Sequence, residues 1–299
     1  MFGFNRRKKL KPTQKSDFDL SPFIKGDSPF AEPDWRALYE HLKITGQQDS
    51  NEAWVEAAIA WAYRVSEDKR LVANSDNFLM VYPRAMEKPE LLLDYMEASR
   101  RRILRRMPGI TINDDEVIWV VFVFNDADIY ERYQQEAYGQ ASAIASSGMF
   151  VHNGYGHFLF PHIEQGFSEP VIAHELTHAL VSHLDELPLW INEGMAVNME
   201  HDICRSAPLD LDKLKTTPWN ENNIDTFFDG SAFRNAKLSD YAYMLGRLLV
   251  MSLVREDYDR FCGFVNNAKR SDGGRAAAKE WFEIDLDGLA FHLLQETAQ

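Results

Sequence analysis

The sequence predicts an α+β protein in two parts, a small mixed β-sheet followed by a helical region, with a cleft between them. The run DEVIWVVFVF, from Asp115 to Phe124, is continuously apolar and rich in β-branched residues, as a central buried strand is. Shorter β-type runs lie on either side of it, at 77–83 and 148–161. Beyond Ser168 the apolar residues recur with helical spacing.

Four segments follow from this pattern. Residues 1–34 form a basic leader, predicted to be disordered, in which six of the first sixteen residues are Lys or Arg. Residues 35–74 form a helical preface, whose tryptophans are interpreted as core. Residues 75–168 form the sheet region, in the order strand, helix, strand, helix and a hairpin at an Asn-Gly turn. Residues 169–299 form the helical region, with helices predicted at 169–184, 188–202, 239–255, 258–269, 273–282 and 286–297.

Composition narrows the possible functions. The net charge of −14 argues against a nucleic-acid partner, because an acidic surface repels phosphate backbones. No apolar run approaches the roughly 18 residues of a membrane span, and no signal-peptide pattern is present. The two cysteines, Cys204 and Cys262, are too few and too far apart for a disulfide framework. The sequence therefore predicts a cytoplasmic protein without a membrane span.

The stretch VIAHELTHALVSHL carries the first candidate site. His174 and His178 are four residues apart, so they lie on one helix face and can bind one ion. Zinc takes neutral imidazole nitrogens of this kind. Glu175 is turned by about 100° from His174, which suits a base beside the metal rather than a ligand. Zinc would acidify water toward a pKa of about 7, and Glu175 would take the proton and later deliver it.

A catalytic zinc needs three protein ligands, and the next predicted helix offers the third. Glu193 is the fifteenth residue after His178, in the segment LPLWINEGMAVNME. The intervening DELP is long enough to turn the chain, so that two adjacent helices can face each other. A carboxylate between Trp190 and Ala196 is costly to bury without a cationic partner. Glu193 is therefore a candidate third ligand for a single zinc ion, opposite the histidine pair.

HELTH followed by WINEGMA resembles the gluzincin zinc metallopeptidases, and most closely the bacterial peptidase MA-like proteins with an LPxWxxEGxA motif. The resemblance implies a zincin or thermolysin-like fold of two subdomains with the active-site cleft between them. It implies that His174, His178 and Glu193 bind zinc and that Glu175 is the general base and acid. The implied substrate is a peptide or protein.

The same resemblance implies further site residues. The helix YAYMLGRLLVMSL is similar to one that carries an oxyanion-supporting tyrosine, which would be Tyr243, with Tyr241 in reserve. The last strand of the sheet would be an edge strand beside the zinc. Its residues Gly156, His157 and Phe158 would contact an extended substrate by β-augmentation.

The sequence also departs from the family. No GxMEN-like run precedes HELTH, and the gap to Glu193 is shorter than in the aminopeptidase branch, so endopeptidase or narrow-specificity activity is preferred. Val197 stands where some members have a supporting aspartate, which leaves Asn198, Glu200 or a backbone carbonyl to support a histidine. Residues 215–240 are a candidate lid or a polar connector. The alternative functions are a non-catalytic zinc-containing peptide-binding protein and a zinc hydrolase of other substrates.

Overall fold

The computed structural model of the chain describes residues 16–26, 31–47, 51–66, 70–112, 118–124, 127–138, 147–161, 168–205 and 210–296. Within these ranges the fold is mixed, with one five-stranded mixed sheet and about 60% helix, which is compatible with the predicted α+β class. Residues 1–15 and 27–30 of the predicted basic leader lie outside the described residues.

The chain separates into two compact units. The first takes the described residues up to Ala98 and those between Asp114 and Ser168, so the helical preface belongs with the sheet. The second takes Ser99–Asn113 and the residues from Glu169 onward.

The first unit is built from a pair of helices, a sheet and one further helix. Its elements are α1 (Trp35–Ile44), α2 (Asn51–Ser66), β1 (Arg70–Asn74), β2 (Phe78–Pro83), β3 (Trp119–Phe124), α4 (Ala127–Tyr138), β4 (Met149–Asn153) and β5 (Tyr155–Pro161). The helix α3 (Pro89–Arg106) begins in this unit and ends in the second. The predicted hairpin is confirmed: β4 and β5 pair around Gly154, whose φ of +79° favours glycine.

The sheet has the strand order β1-β2-β3-β5-β4. The three central strands are parallel, and β1 and β4 are antiparallel to their neighbours. β5 is hydrogen bonded on both sides, to β3 and to β4. The prediction that the last strand of the sheet is an edge strand is therefore wrong. The short strand β1 was not predicted, because its half-buried residues are held by pairing with β2 and carry little apolar signal.

The core of the first unit surrounds Trp61 of the preface, which has no exposed surface. Its ring centroid lies 4.8 Å from that of Phe122 in β3 and 5.3 Å from that of Trp35 in α1. Trp35 also stacks on Tyr155 of β5 at 5.3 Å. Trp35 and Trp61 are thus core residues, as predicted, and they attach the preface to the sheet.

The second unit is helical in all its described elements. These are α5 (Glu169–Val181), α6 (Leu189–Cys204), α7 (Leu211–Lys215), α8 (Asp225–Phe228), α9 (Ser239–Glu256), α10 (Tyr258–Asn267), α11 (Arg275–Phe282) and α12 (Leu286–Glu296). The six predicted helices are all present with small shifts at their ends. The short helices α7 and α8 were not predicted, because neither is long enough to show a helical period.

The segment from α7 to α9, which includes most of the candidate lid, is folded around aromatic side chains. Trp219, Phe227, Phe228 and Phe233 are each at most 7% exposed. The rings of Phe227 and Phe228 lie 5.8 and 5.9 Å from that of Trp190 in α6. Buried aromatic side chains therefore hold this segment against α6, so the segment is not an open polar connector.

None of the described helices is both long and apolar enough to cross a bilayer. Cys204 and Cys262 are free thiols, in agreement with the expectation that the chain has no disulfide framework.

Candidate metal centre

Two consecutive helices of the second unit carry the candidate ligands. In α5 the apolar side chains of Ile172, Leu176 and Leu180 are at most 2% exposed. His174 and His178 lie on another face of the helix and keep 15% of their side-chain surface. The buried stripe fixes the rotation of α5, and this rotation directs both imidazoles the same way.

The start of α6 is anchored by Trp190 of the WINEGMA segment. This side chain is fully buried, and its indole Nε1 donates a hydrogen bond of 2.8 Å to the carbonyl oxygen of Gly273. Pro188 is the N-cap residue of α6. Glu193 lies on the turn that follows and is 13% exposed. The tryptophan therefore orients the helix that presents the carboxylate.

The structure brings the three predicted ligands together. One donor atom from each of His174, His178 and Glu193 lies within 4.8 Å of the other two, and this group could hold a metal ion. Oε2 of Glu193 is 3.1 Å from Nε2 of His174 and 3.5 Å from Nε2 of His178. The two imidazole centroids are 4.6 Å apart.

The outer nitrogens of both imidazoles have partners on α6. Nδ1 of His174 lies 2.5 Å from Oε1 of Glu200, and Nδ1 of His178 lies 2.9 Å from Oδ1 of Asn192. A carboxylate and an amide oxygen can only accept, so each Nδ1 carries hydrogen and each Nε2 faces Glu193. Glu200 was among the candidate histidine partners predicted from the sequence. Asn192, which directly precedes the candidate ligand Glu193, was not predicted.

Opposite charges dominate the electrostatics of the cluster. Burial lowers the pKa of His174, but hydrogen bonds to Glu193 and Glu200 outweigh it and raise that pKa to about 10. Burial likewise lowers the pKa of His178, but the negative charge of Glu193 outweighs burial and raises the pKa of His178. Burial would raise the pKa of the Glu193 carboxyl, whereas His178 and His174 hold it well below its ordinary value. The site thus favours a bound positive charge.

Glu175 lies next to this cluster without belonging to the ligand group. Its side chain is half-buried, and its charge contributes to raising the pKa of His174, His178 and Tyr243. Glu175 directly follows His174 in α5, and its charge acts on both candidate histidine ligands and on Tyr243.

The two candidate tyrosines differ in their surroundings. The ring centroid of Tyr243 is 6.5 Å from that of His174, and Phe233 packs edge-on against it at 5.2 Å. Burial, followed by the charges of Glu193 and Glu175, raises the pKa of Tyr243 above its ordinary value. Tyr241 lies under the ammonium group of Lys213, 5.4 Å from the ring centroid. Of the two tyrosines, Tyr243 is the one whose ring lies against a candidate ligand, His174.

Tyr243 is brought to the cluster by the close approach of α9 to α6. A Cβ added at Gly194 would lie 2.5 Å from the carbonyl oxygen of Gly246. Asn198 adds a bridge, since its Nδ2 donates to the carbonyl oxygens of Gly194 at 2.8 Å and Arg247 at 3.1 Å. Asn198 therefore joins two helices and is not a histidine partner.

The predicted substrate-contacting residues of β5 lie in the first unit and are packed inside it. The side chains of His157 and Phe158 have no exposed surface, and a Cβ at Gly156 would lie 2.4 Å from the ring of Trp119. The imidazole of His157 contacts Trp61, and its Nε2 lies 3.4 Å from Oε1 of Glu32. Substrate contact through these side chains is not supported, because they form part of the core on either face of the sheet.

The donor set fits zinc. Two imidazoles and one carboxylate are a common ligand set of catalytic zinc sites. Two ligands at about 2.1 Å from a tetrahedral ion lie about 3.4 Å apart, close to the distances between Glu193 and the two histidines. The partners of the outer nitrogens also leave each Nε2 directed at the ion position.

In comparisons with known proteins, no protein-family model matches the chain and the search of curated proteins finds no similar sequence.

Proposed function

We propose that this protein is a zinc-dependent hydrolase of peptide bonds, of the gluzincin type and with a zincin-like fold. The observation that carries the proposal is the convergence of His174, His178 and Glu193, with Glu175 beside them. Endopeptidase or narrow-specificity activity is proposed in preference to aminopeptidase activity. The proposed substrate is a peptide or protein, and the proposed location is the cytoplasm.

A zinc ion held by these three residues would supply Lewis acidity, which polarises a carbonyl and acidifies water toward a pKa of about 7. The chain itself supplies the proton transfers. Glu175 is proposed to accept a proton on its carboxylate when water attacks the peptide carbonyl, and to deliver that proton to the departing amine nitrogen.

Tyr243 is proposed to donate a hydrogen bond from its phenol to the oxygen of the attacked carbonyl. A phenol is protonated at neutral pH at its ordinary pKa, and the surroundings of Tyr243 raise this pKa further, so its hydroxyl can act as a donor. Its contact with Phe233 limits the movement of its ring. A group that is oriented before the substrate binds stabilises a developing negative charge without reorganisation.

The test is a comparison of wild type, Glu175→Gln, Tyr243→Phe and Tyr241→Phe, with zinc content and cleavage of a peptide library measured for each. We expect one zinc per chain throughout. Glu175→Gln should abolish cleavage, and Tyr243→Phe should lower kcat by about 10²- to 10³-fold. Tyr241→Phe is the matched control and should retain wild-type activity, because Tyr241 packs against Lys213.

Three negative results would lead to different conclusions. Full activity in Glu175→Gln would contradict the mechanism. A wild type that binds zinc but cleaves no peptide would favour either the non-catalytic peptide-binding protein or the hydrolase of other substrates. A wild type that binds no zinc would contradict the proposed function as a whole.

A further inference from the structure

We propose that Glu200 is a positioning residue of the metal centre, which acts through His174 and makes the two histidine ligands unequal. The inference rests on the metal site of the proposed function and does not depend on which bond is cleaved.

The contact between Glu200 and His174 is direct. Oε1 of Glu200 lies 2.5 Å from Nδ1 of His174, the nitrogen that faces away from Glu193. The Glu200 side chain keeps only 22% of its surface exposed, so little water competes for this hydrogen bond. A hydrogen bond with an ionised acceptor is about twice as strong as a neutral one.

The helical repeat of α6 places Glu200 on the same helix face as Glu193. Glu193 and Glu200 are seven residues apart, which is two turns, so they lie on one face of the helix. The carboxylate of Glu193 contacts Nε2 of His174, and the carboxylate of Glu200 contacts Nδ1 of the same imidazole. One helix face therefore holds the imidazole at both of its nitrogens.

The partner of His178 is of a different kind. Oδ1 of Asn192 is a neutral acceptor, which orients the His178 ring without adding charge. A carboxylate on the outer nitrogen additionally increases the basicity of a ligand imidazole. His174 is therefore the stronger donor of the two.

A buried cation balances the additional negative charge. Arg247 on α9 is 7% exposed, and the charge of Glu200 acts on its guanidinium. With a divalent cation bound, the carboxylates of Glu175, Glu193 and Glu200 face three positive charges in all, two from the ion and one from Arg247.

The experiment compares zinc affinity, from competition with a chromophoric chelator, in wild type, Glu200→Gln and Asp202→Asn. Glu200→Gln retains an acceptor oxygen and removes the charge. Asp202→Asn is the matched control, because it removes the same charge from the same helix, where the Asp202 carboxylate pairs with Arg102 and Arg106 and not with a ligand. We expect zinc to bind about 10- to 100-fold more weakly in Glu200→Gln and within about threefold of wild type in Asp202→Asn.

The visible absorption spectrum of the cobalt(II)-substituted proteins reports ligand geometry independently of activity. It should change in Glu200→Gln and not in Asp202→Asn. If Glu200→Gln does not fold, Glu200→Asp, which keeps the charge but shortens the side chain, should show the altered cobalt spectrum.

The inference is overturned if the foldable Glu200 variant matches wild type in affinity and spectrum, or if Asp202→Asn loses as much affinity as Glu200→Gln. In those cases wild type still binds zinc and the proposed function stands. Absence of zinc binding by wild type would instead contradict the proposed function.

Discussion

At the scale of single residues, the candidate metal centre consists of one carboxylate that faces two imidazoles. The carboxylate of Glu193 lies 3.1 Å from Nε2 of His174, and hydrogen bonds to Glu193 and Glu200 raise the pKa of that imidazole, which favours its protonated form. A zinc ion takes the neutral form of histidine and must displace this proton. Metal and proton therefore compete for the same nitrogen.

This competition predicts the pH dependence of zinc binding. The pKa of His174 is raised to about 10, so the imidazole is protonated at pH 7 and releases its proton as zinc binds. Affinity should rise about tenfold per pH unit for one released proton, from pH 6 toward pH 9. Calorimetric titrations in buffers of different ionisation enthalpy measure the number released. An affinity independent of pH over this range would show that His174 is already neutral.

At the scale of elements, the site depends on how closely α6 and α9 approach. Glu193 precedes Gly194 on α6, and Tyr243 lies one turn before Gly246 on α9, so the glycine contact sets the separation of these two functional groups. The aromatic segment between α7 and α9 supports the same arrangement, because Phe233 packs on Tyr243.

Gly194→Ala should therefore separate the helices. Its Cβ would lie 2.5 Å from a backbone oxygen, which has no rotamer by which to move away. We expect a loss of about 1 to 3 kcal/mol in the free energy of unfolding, measured with urea. Gly288→Ala in α12 is the control, because its new Cβ would meet a side-chain oxygen of Asp285 at 3.0 Å. Equal stabilities of the two variants would contradict the role given to the glycine contact.

At the scale of the whole molecule, the chain forms two units, and the candidate metal centre lies wholly in the second. Its three candidate ligands, Glu200 and Tyr243 all belong to that unit. The first unit has an independent core around Trp61, to which the preface contributes. A bound ion would therefore join α5 to α6 within one unit.

Removal of zinc should accordingly lower the stability of the folded chain. A ligand that binds only the native state at 100 times its Kd adds about 2.7 kcal/mol, and a chelator removes this contribution. We expect the unfolding temperature of wild type to fall on addition of chelator. That of His178→Ala, which lacks a ligand, should change little. Coincident melting curves for zinc-loaded and chelated wild type would contradict the prediction.

The sequence alone determined those parts of the protein that local spacing controls. An i, i+4 spacing places His174 and His178 on one helix face. The continuous apolar run of β3 and the helical periodicity of the six helices predicted beyond Ser168 are also strong local signals. A carboxylate in an apolar segment made Glu193 a candidate third ligand, and the resemblance of WINEGMA to the gluzincin motif implied that role.

Tertiary structure alone decided the pairings between elements. That β5 is an inner strand depends on its hydrogen bonds to both β3 and β4, which no local pattern encodes. The partners of the outer imidazole nitrogens, Asn192 and Glu200, depend on the rotation of α6 against α5. Helical spacing limits which residues share a face, but only the packing of one helix on another determines which atoms meet.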